Sequence, residues 1–197
     1  MKYIIMADGK GTRWNNYLDR PKHFVEIEGE KLIERTIKRL HMYDEQAEVI
    51  ITSHNPEYDL DGATRYEPLH NDMEIERFTE ELLEDNICFL YGDTFYSDDC
   101  IKAIIEKEFG PLSFFGNSKS IVAIKVKDGE LFKEHKHKVR SAFEEGKVEA
   151  CKGWQVYQSY EGLPMGTVKT IAGDFLNIEE LAYDINSPED YKKAVEK

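Results

Sequence analysis

The first residues of the chain combine glycines with cationic side chains at a spacing that suits a phosphate site. A short apolar run, Tyr3 to Ala7, ends at Asp8, and Gly9 and Gly11 follow directly. Glycine lets the backbone turn tightly and approach a ligand closely, and successive N–H groups in such a loop form an anion-binding concavity. These residues predict a buried strand that ends at a phosphate-binding loop.

Cations are concentrated beside these glycines, although the chain as a whole is acidic. The formal net charge is −13 over 197 residues, which argues against nucleic acid as a partner. An anionic protein also repels a nucleotide at long range, so a phosphate site here must be a local exception. The cations next to the glycines are Lys10, Arg13, Arg20 and Lys22, against the acids Asp8 and Asp19.

Two common phosphate motifs do not fit this loop. A dinucleotide fingerprint needs a third glycine where the chain has Trp14, and the loop lacks the longer frame of a P-loop. Taken alone, the glycines are equally typical of a plain turn after a strand. The nearby Arg13 and Lys22 favour the phosphate site.

Strand-like and helix-like segments alternate along the rest of the chain. Strands are predicted at residues 3–7, 49–52, 87–91, 112–115, 121–126 and 168–172. Helices are predicted near residues 32–40, 71–83, 97–109, 131–143, 154–160 and 187–197. This alternation predicts a single α/β domain over residues 1–197, with a Rossmann-like, mainly parallel mixed sheet and helices on both faces. Because ligands bind at the carboxyl ends of such strands, the glycine loop and Gly92-Asp93 are expected to face one crevice.

Three motifs in the right order resemble the signature of the nucleotidyltransferases, the family of sugar-phosphate nucleotidylyltransferases and small-alcohol cytidylyltransferases. Residues 7–13, 20–22 and 28–32 are similar to G-x-G-T-R…P-K…G-x-P-L. Tyr91-Gly92-Asp93 resembles the second motif, and Asp184 to Asp190 the C-terminal D-[IV]-[DN]-[ST]-P-E-D. The resemblance implies a GT-A-like fold. It also implies transfer of a nucleotidyl group from a nucleoside triphosphate to a small phosphorylated acceptor, with release of pyrophosphate.

The resemblance also implies roles for individual residues. Arg13 and Lys22 would be catalytic, Arg13 on the β- and γ-phosphates and Lys22 on the α-phosphate. Asp93 would hold Mg²⁺, with Asn186 or Asp184 as a second ligand. The nucleotide would contact Ala7, Asp8, Gly9, Lys10, Gly11, Thr12, Arg13, Ser53, Asn71 and Gly92.

Several of these residues also have a plain structural interpretation. Asn71 is equally suited to cap a helix, and Asp93 to end a strand in a turn. Trp154 and Tyr157 lie one helical turn apart. They are expected either to pack in the core or to form an aromatic wall for an acceptor, which would suit a cationic one.

The chain departs from the family pattern at three positions. Asp8 stands where Ala or Gly is usual, Lys31 replaces a proline, and Asn186 stands where many cytidylyltransferases have Asp. A carboxylate at position 8 would repel a triphosphate. It is therefore expected to point away, to bind a metal, or to meet a cationic acceptor.

The sequence indicates the type of reaction more clearly than it indicates the acceptor or the nucleotide base. CTP is favoured because the chain is short, as the cytidylyltransferases are. Acceptors in question include a phosphorylated sugar, choline, polyol or amino-acid derivative, as in precursors for surface polysaccharide or lipid decoration. Two alternatives stay open: a GT-A glycosyltransferase, although a D-x-D motif is missing after Asp93, and a non-catalytic nucleotide-binding module.

The composition of the chain limits where in the cell the protein is expected. No apolar run approaches the roughly 18–20 residues that span a membrane, so no membrane insertion is expected and the cytoplasm is the expected compartment. The cysteines, Cys88, Cys100 and Cys151, are scattered and are expected to be free thiols rather than zinc ligands or a disulfide framework. A homodimer is left open.

Overall fold

The protein, a computed structural model, is described over residues 1–178 and 181–196. The strands in these ranges are β1 (Lys2–Met6), β2 (Glu26–Ile27), β3 (Glu30–Lys31), β4 (Glu48–Thr52), β5 (Thr64–Tyr66), β6 (Ile87–Tyr91), β7 (Thr94–Tyr96), β8 (Leu112–Gly116), β9 (Ile121–Val126), β10 (Phe175–Asn177) and β11 (Ala182–Asp184). The α-helices are α1 (Leu32–Tyr43), α2 (Asp98–Glu106), α3 (Gly129–Glu144), α4 (Gly153–Tyr160) and α5 (Pro188–Val195).

A mixed sheet forms the centre of the protein. Its strand order is β10-β8-β9-β6-β1-β4-β5. The strands are parallel to one another except β9, which runs antiparallel to β6 and β8. Two short antiparallel pairs, β2 with β3 and β7 with β11, lie outside this sheet. The prediction of an α/β fold with a mainly parallel sheet is therefore confirmed.

Helices cover both faces of the sheet because successive side chains of a strand point to opposite sides. Tyr3 and Ile5 of β1 belong to a core cluster that also holds buried residues of α1 and α2. Ile4 and Met6 belong to a second cluster that holds residues of α3 and α4. None of the helices in the described ranges combines the length and the apolarity needed to cross a bilayer.

Helix starts with a strong local signal form as predicted. The Ser97 hydroxyl accepts a hydrogen bond from the backbone N–H of Cys100 at 3.1 Å, at the start of α2. At α5, the Ser187 hydroxyl accepts from the N–H of Asp190 at 3.2 Å, and the Asp190 carboxylate accepts from the N–H of Ser187 at 2.9 Å. The three cysteines are buried free thiols.

The helix predicted over residues 71–83 is wrong. The segment instead forms two short 3₁₀ turns, Glu74–Arg77 and Glu80–Leu82. The Glu76 carboxylate caps the first turn by accepting hydrogen bonds from the N–H groups of Asp72 and Met73. The Asn71 side chain does not cap a helix, because its amide is bonded to Asp8.

The strand predicted at residues 168–172 is also wrong. The edge strand is β10, which begins at Phe175. Side chains of α4 take the backbone groups that a strand would pair: the Gln158 amide donates to the Val168 carbonyl at 2.9 Å, and the Ala172 N–H donates to the Tyr157 hydroxyl at 2.6 Å.

Candidate active site

A pocket of about 390 Å³ opens at the carboxyl edge of the sheet. The carboxyl ends of β1 and β6 meet there, and so does the β8–β9 turn, because β9 runs in the opposite direction. The glycine loop, Lys22, Asp93, Asp184 and Asn186 all line this pocket. The fold thus brings together residues from all three sequence motifs, although up to 177 positions separate them along the chain.

The glycine loop is shaped by two specific requirements. A Cβ on Gly9 would lie 3.3 Å from the guanidinium of Arg77, so glycine lets that cation lie against the loop. Gly11 has φ +57°, which side chains rarely adopt. Its carbonyl accepts hydrogen bonds from the N–H groups of Trp14 and Asn15 at 2.9 and 3.1 Å, which closes the turn. Lys10, Thr12 and Arg13 are exposed on the pocket side of the loop.

Arg77 is a pocket residue that the sequence patterns did not single out. It lies at the end of the first 3₁₀ turn, in a stretch predicted to be an amphipathic helix. Its Nε is buried and has no hydrogen-bond partner among the described residues. The one signal in the sequence is a basic residue between the apolar Ile75 and Phe78.

Lys22 and Asp93 form an ion pair at the centre of the pocket. Lys22 is only 9% exposed, and its Nζ also donates to the Asn186 side-chain oxygen at 3.3 Å. Burial alone would raise the pKa of Asp93, but the ammonium of Lys22 holds it below the usual value. Asp93 is therefore ionised at neutral pH.

Asp184 completes a pair of acidic groups with Asp93. Burial, and then the charge of Asp93, raise the pKa of Asp184. Its carboxylate accepts a hydrogen bond from the Thr94 hydroxyl at 2.8 Å, and Ser120 also donates to it. Two carboxylates that repel each other in a buried setting make a site where a cation is stabilising.

The residues at this point suit Mg²⁺. Two carboxylates and the amide oxygen of Asn186 give an all-oxygen donor set, and Mg²⁺ prefers one or two carboxylates together with substrate phosphates. Over the residues described, no group of three or more His, Cys, Asp or Glu side chains could hold a metal ion.

Asp8 points away from the pocket, the first of the three expectations for it. Its carboxylate accepts from the backbone N–H of His54 at 3.1 Å and lies 2.5 Å from the His54 Nδ1. It also accepts from the Asn71 amide at 2.8 Å. One carboxylate therefore ties the loop after β1 to the loops after β4 and β5.

Five of the residues predicted to contact the nucleotide do not line the pocket. They are Ala7, Asp8, Ser53, Asn71 and Gly92. Ser53 is 1% exposed and its hydroxyl accepts from the backbone N–H of Asn55. These residues support the loops around the pocket rather than forming its walls.

Tyr157 meets the first of the two expectations for Trp154 and Tyr157, packing in the core. Tyr157 is fully buried, packs on Phe114 and Phe175, and bonds to Ala172 through its hydroxyl, so it belongs to the core. Trp154 does line the pocket, but the Nζ of Lys169 lies 4.9 Å from its ring centroid. The chain's own cation covers the indole.

Three further lysines in the pocket come from segments that carry no motif. Lys119 lies in the β8–β9 turn, Lys152 precedes α4, and Lys169 lies in the loop before β10. With Lys10, Arg13, Lys22 and Arg77 they make seven cationic side chains, against the acids Glu74, Asp93 and Asp184. The lining therefore carries a net charge of +4 in a chain whose net charge is −13.

No family model matches the chain, and no curated protein sequence matches it. Solved structures do match over nearly its whole length. The CTP:phosphocholine cytidylyltransferase of Streptococcus pneumoniae has 17% identity and a TM-score of 0.59, with 99% of this chain and 97% of that one covered. The inositol-1-phosphate CTP transferase of T. maritima has 16% identity and a TM-score of 0.57, with 100% and 95% covered.

The name of a third similar protein specifies thymidylyl rather than cytidylyl transfer. A Bacillus anthracis protein assigned as a glucose-1-phosphate thymidylyltransferase has 16% identity and a TM-score of 0.67, with 100% of this chain and 94% of that one covered. At this level of identity the likeness concerns the fold, and it agrees with the resemblance carried by the three motifs. The chain has the Rossmann-like fold of the nucleotidyltransferases.

Proposed function

We propose that this protein transfers a nucleotidyl group from a nucleoside triphosphate, with CTP favoured, to a small phosphorylated acceptor and releases pyrophosphate. The observation that carries the proposal is the convergence of the glycine loop and Arg13 with Lys22, Asp93 and Asn186 in one pocket, where Lys22 is buried. A binding module without activity would have no evident need for a buried lysine paired with a carboxylate in its pocket, because such an ion pair adds little stability.

The reaction needs positioning and cations more than covalent chemistry. A phosphate oxygen of the acceptor attacks the α-phosphorus of the nucleotide. The new P–O bond forms as the bond from the α-phosphorus to the bridging oxygen breaks, and that oxygen leaves with the electron pair as part of pyrophosphate. Lys22 supplies a compact positive charge at the α-phosphate, and Arg13 binds the β- and γ-phosphates.

Asp93 and Asp184 would hold Mg²⁺, and Asn186 supplies a third oxygen beside them. When bound, Mg²⁺ neutralises phosphate charge and orients the triphosphate. Thr94 and Ser120 hold the Asp184 carboxylate in place through hydrogen bonds.

The preference for CTP rests on two similar structures whose names specify CTP. The base would lie toward β4 and β5, beside the loops that Asp8 joins. We expect the product to be an activated precursor for surface polysaccharide or lipid decoration, made in the cytoplasm where nucleoside triphosphates are available.

A pyrophosphate-release screen tests the proposal. Four nucleoside triphosphates are each paired with a panel of phosphorylated sugars, polyols and small alcohols, with Mg²⁺ present. We expect release only when triphosphate and acceptor are both present, and fastest with CTP. If no combination releases pyrophosphate while calorimetry still detects nucleotide binding, the result would favour a non-catalytic binding module.

A further inference from the structure

The pocket has a second half whose charge the nucleotide does not account for. Four cations lie beside the glycine loop and suit a triphosphate: Lys10, Arg13, Lys22 and Arg77. Lys119, Lys152 and Lys169 come instead from the β8–β9 turn and the segments around α4. Lys119 and Lys169 belong to the side of the sheet that holds β9, β8 and β10, away from β4 and β5. Lys152 pairs with Glu74 of the turn that carries Arg77.

All three lysines are exposed, but the loop that carries Lys169 is held in place from the core. The segment that carries Lys169 is bound to α4 by side chains that are almost completely buried. The Gln155 amide donates to the Gly166 carbonyl at 3.1 Å, and the Gln158 amide donates to the Val168 carbonyl at 2.9 Å. Gln158 also accepts from the Gly166 N–H at 3.0 Å. With the Ala172 N–H, which donates to the Tyr157 hydroxyl, these contacts fix the loop on both sides of Lys169.

The lysines themselves are held close together. Lys169 donates through Nζ to the backbone carbonyl of Lys119. Burial and the neighbouring charge of Lys152 lower the pKa of Lys169. Lys152 is paired with Glu74 at 3.1 Å. Cations that repel one another at the mouth of a pocket are stabilised by an anionic ligand.

We infer that the acceptor is a phosphate monoester whose organic part is anionic or uncharged, as in a phosphorylated hydroxy acid, sugar or polyol. Phosphorylated amino alcohols such as phosphocholine are excluded. The inference rests on the proposed function, because it identifies the second half of the pocket as the acceptor side. Lys119, Lys152 and Lys169 bind the acidic groups of the acceptor and hold them beside Asp184.

The position of Lys169 is what excludes a cationic acceptor. A quaternary ammonium group is typically recognised over an aromatic face. The aromatic side chains that line the pocket are Tyr91 and Trp154, and Trp154 is only 4% exposed. The Nζ of Lys169 is already 4.9 Å from that ring centroid. A choline group would meet an ammonium instead of an open ring, and two further lysines beside it.

A matched set of two-carbon phosphate monoesters tests directly how the charge of the acceptor's organic part affects binding. Phosphoglycolate, 2-hydroxyethyl phosphate and phosphoethanolamine differ mainly at the end remote from the phosphate, which is negative, neutral and positive respectively. Titration calorimetry is run with the full-length protein, Mg²⁺ and a non-hydrolysable triphosphate analogue. We expect phosphoglycolate to bind at least about tenfold more tightly than phosphoethanolamine, with 2-hydroxyethyl phosphate between them.

Variants test whether the lysines cause the difference in affinity between the anionic and the cationic compound. Lys169→Gln and Lys152→Gln are expected to reduce the difference between phosphoglycolate and phosphoethanolamine by several-fold each, while thermal unfolding stays near wild type. Lys193→Gln is the control, because Lys193 is exposed on α5 and does not line the pocket. It should leave the difference unchanged.

The outcomes separate this inference from the proposed function. Equal or tighter binding of phosphoethanolamine, or no binding of any of the three compounds, would overturn the inference. Pyrophosphate release with phosphocholine would overturn it as well, while supporting nucleotidyl transfer. A third outcome is that the three compounds bind in the expected order but no triphosphate releases pyrophosphate. That result would support the anion site and reject the proposed reaction.

Discussion

Lys22 and Asp93 are the residues on which the proposed chemistry depends most. Lys22 is buried, Asp93 is half-buried, and each is the other's charge partner, with Asn186 and Asp184 nearby. Desolvating such a pair costs free energy that its mutual attraction offsets only in part. A requirement of the reaction therefore explains the pair better than a requirement of the fold does.

Asp93→Asn is expected to weaken Mg²⁺-dependent nucleotide binding at least about tenfold, because it removes one of two carboxylates from the proposed magnesium site. Binding measured without Mg²⁺ should change much less. Titration calorimetry with and without the metal measures both quantities. Asp99→Asn is the control, since Asp99 is an exposed acid on α2 paired with Lys102. An unchanged metal dependence in Asp93→Asn would refute the role of Asp93.

His23 gives the protein a specific sensitivity to acid. It is 4% exposed and lies 2.6 Å from the Tyr58 hydroxyl through Nδ1. Burial lowers its pKa to about 4, and the charges of Lys22 and Arg77 act in the same direction, while Asp93 and Asp8 oppose them. The unfolded chain, with a histidine pKa near 6.5, binds the proton more readily. The folding free energy that depends on neutral His23 is fully present above about pH 6.5, and it is lost as the pH falls toward 4.

We expect His23 to account for about 2 kcal/mol of unfolding free energy lost between pH 7 and pH 5. Urea denaturation at the two pH values measures the loss in the wild type and in His23→Gln, which does not titrate. The variant should lose correspondingly less on acidification. An equal loss in both proteins would assign the acid sensitivity to other groups.

The loops at the carboxyl ends of the strands act as one unit because Asp8 joins them. Its carboxylate is bonded to His54 after β4 and to Asn71 after β5. The glycine loop that follows Asp8 is thereby fixed relative to the side of the pocket proposed for the base. The departure of this chain from the family pattern at position 8 is a structural tie between loops.

Asp8→Ala is expected to weaken nucleotide binding about tenfold, since hydrogen bonds to a charged group contribute roughly 1.5–3 kcal/mol each and several are lost. Hydrogen exchange should become faster in residues 8–13 and 53–55. Asp61→Ala, at an exposed position outside the pocket, is the matched control. Unchanged affinity and exchange in Asp8→Ala would contradict the proposed tie.

Elements with local signals could be predicted from the sequence, and elements that depend on distant partners could not. Ser97 and Ser187 cap their helices through residues three positions away, so the sequence contains the whole signal. Residues 71–83 have a helical apolar pattern, but Asn71 binds Asp8 and the Arg77 guanidinium lies against Gly9. Those contacts across the chain favour two short 3₁₀ turns over one helix.

The charge distribution of the whole molecule separates the pocket from the rest of the surface. The lining has a net charge of +4 while the chain has −13. Attraction of a polyphosphate is therefore confined to short range, and long-range repulsion opposes its approach. Added salt screens charges at the exposed mouth of the pocket more strongly than the buried pair inside it.

Raising NaCl from about 50 to 500 mM is expected to weaken CTP binding several-fold, because the Debye length falls below the width of the pocket. Calorimetry across the salt series measures the change. Cytidine, which has no phosphate, is the control ligand and should show little dependence on salt. A flat affinity for CTP would mean that the cations of the pocket do not bind phosphate.

In the half of the pocket proposed for the nucleotide, the glycine loop and Lys22 could be predicted from the sequence but Arg77 could not. The lysines of the other half could not be predicted either. Gly9, Arg13 and Lys22 lie within fourteen residues of one another, and their spacing matches a motif. Lys119, Lys152 and Lys169 are far apart in sequence and come together only through the β8–β9 turn and the loop bound to α4. Composition gave no sign of them in a chain with 39 acidic residues.

The role of Lys22 tests the account most directly. Single-turnover pyrophosphate release is measured with the best triphosphate and acceptor from the screen, and triphosphate affinity is measured alongside. Lys22→Ala is expected to lose about 100- to 1,000-fold in rate while binding the triphosphate within several-fold of wild type, because the charge acts mainly as the α-phosphate reacts. Lys22→Arg, which keeps the partner of Asp93 but not the compact ammonium, separates loss of charge placement from loss of stability. Near-wild-type release by Lys22→Ala would contradict the proposed mechanism.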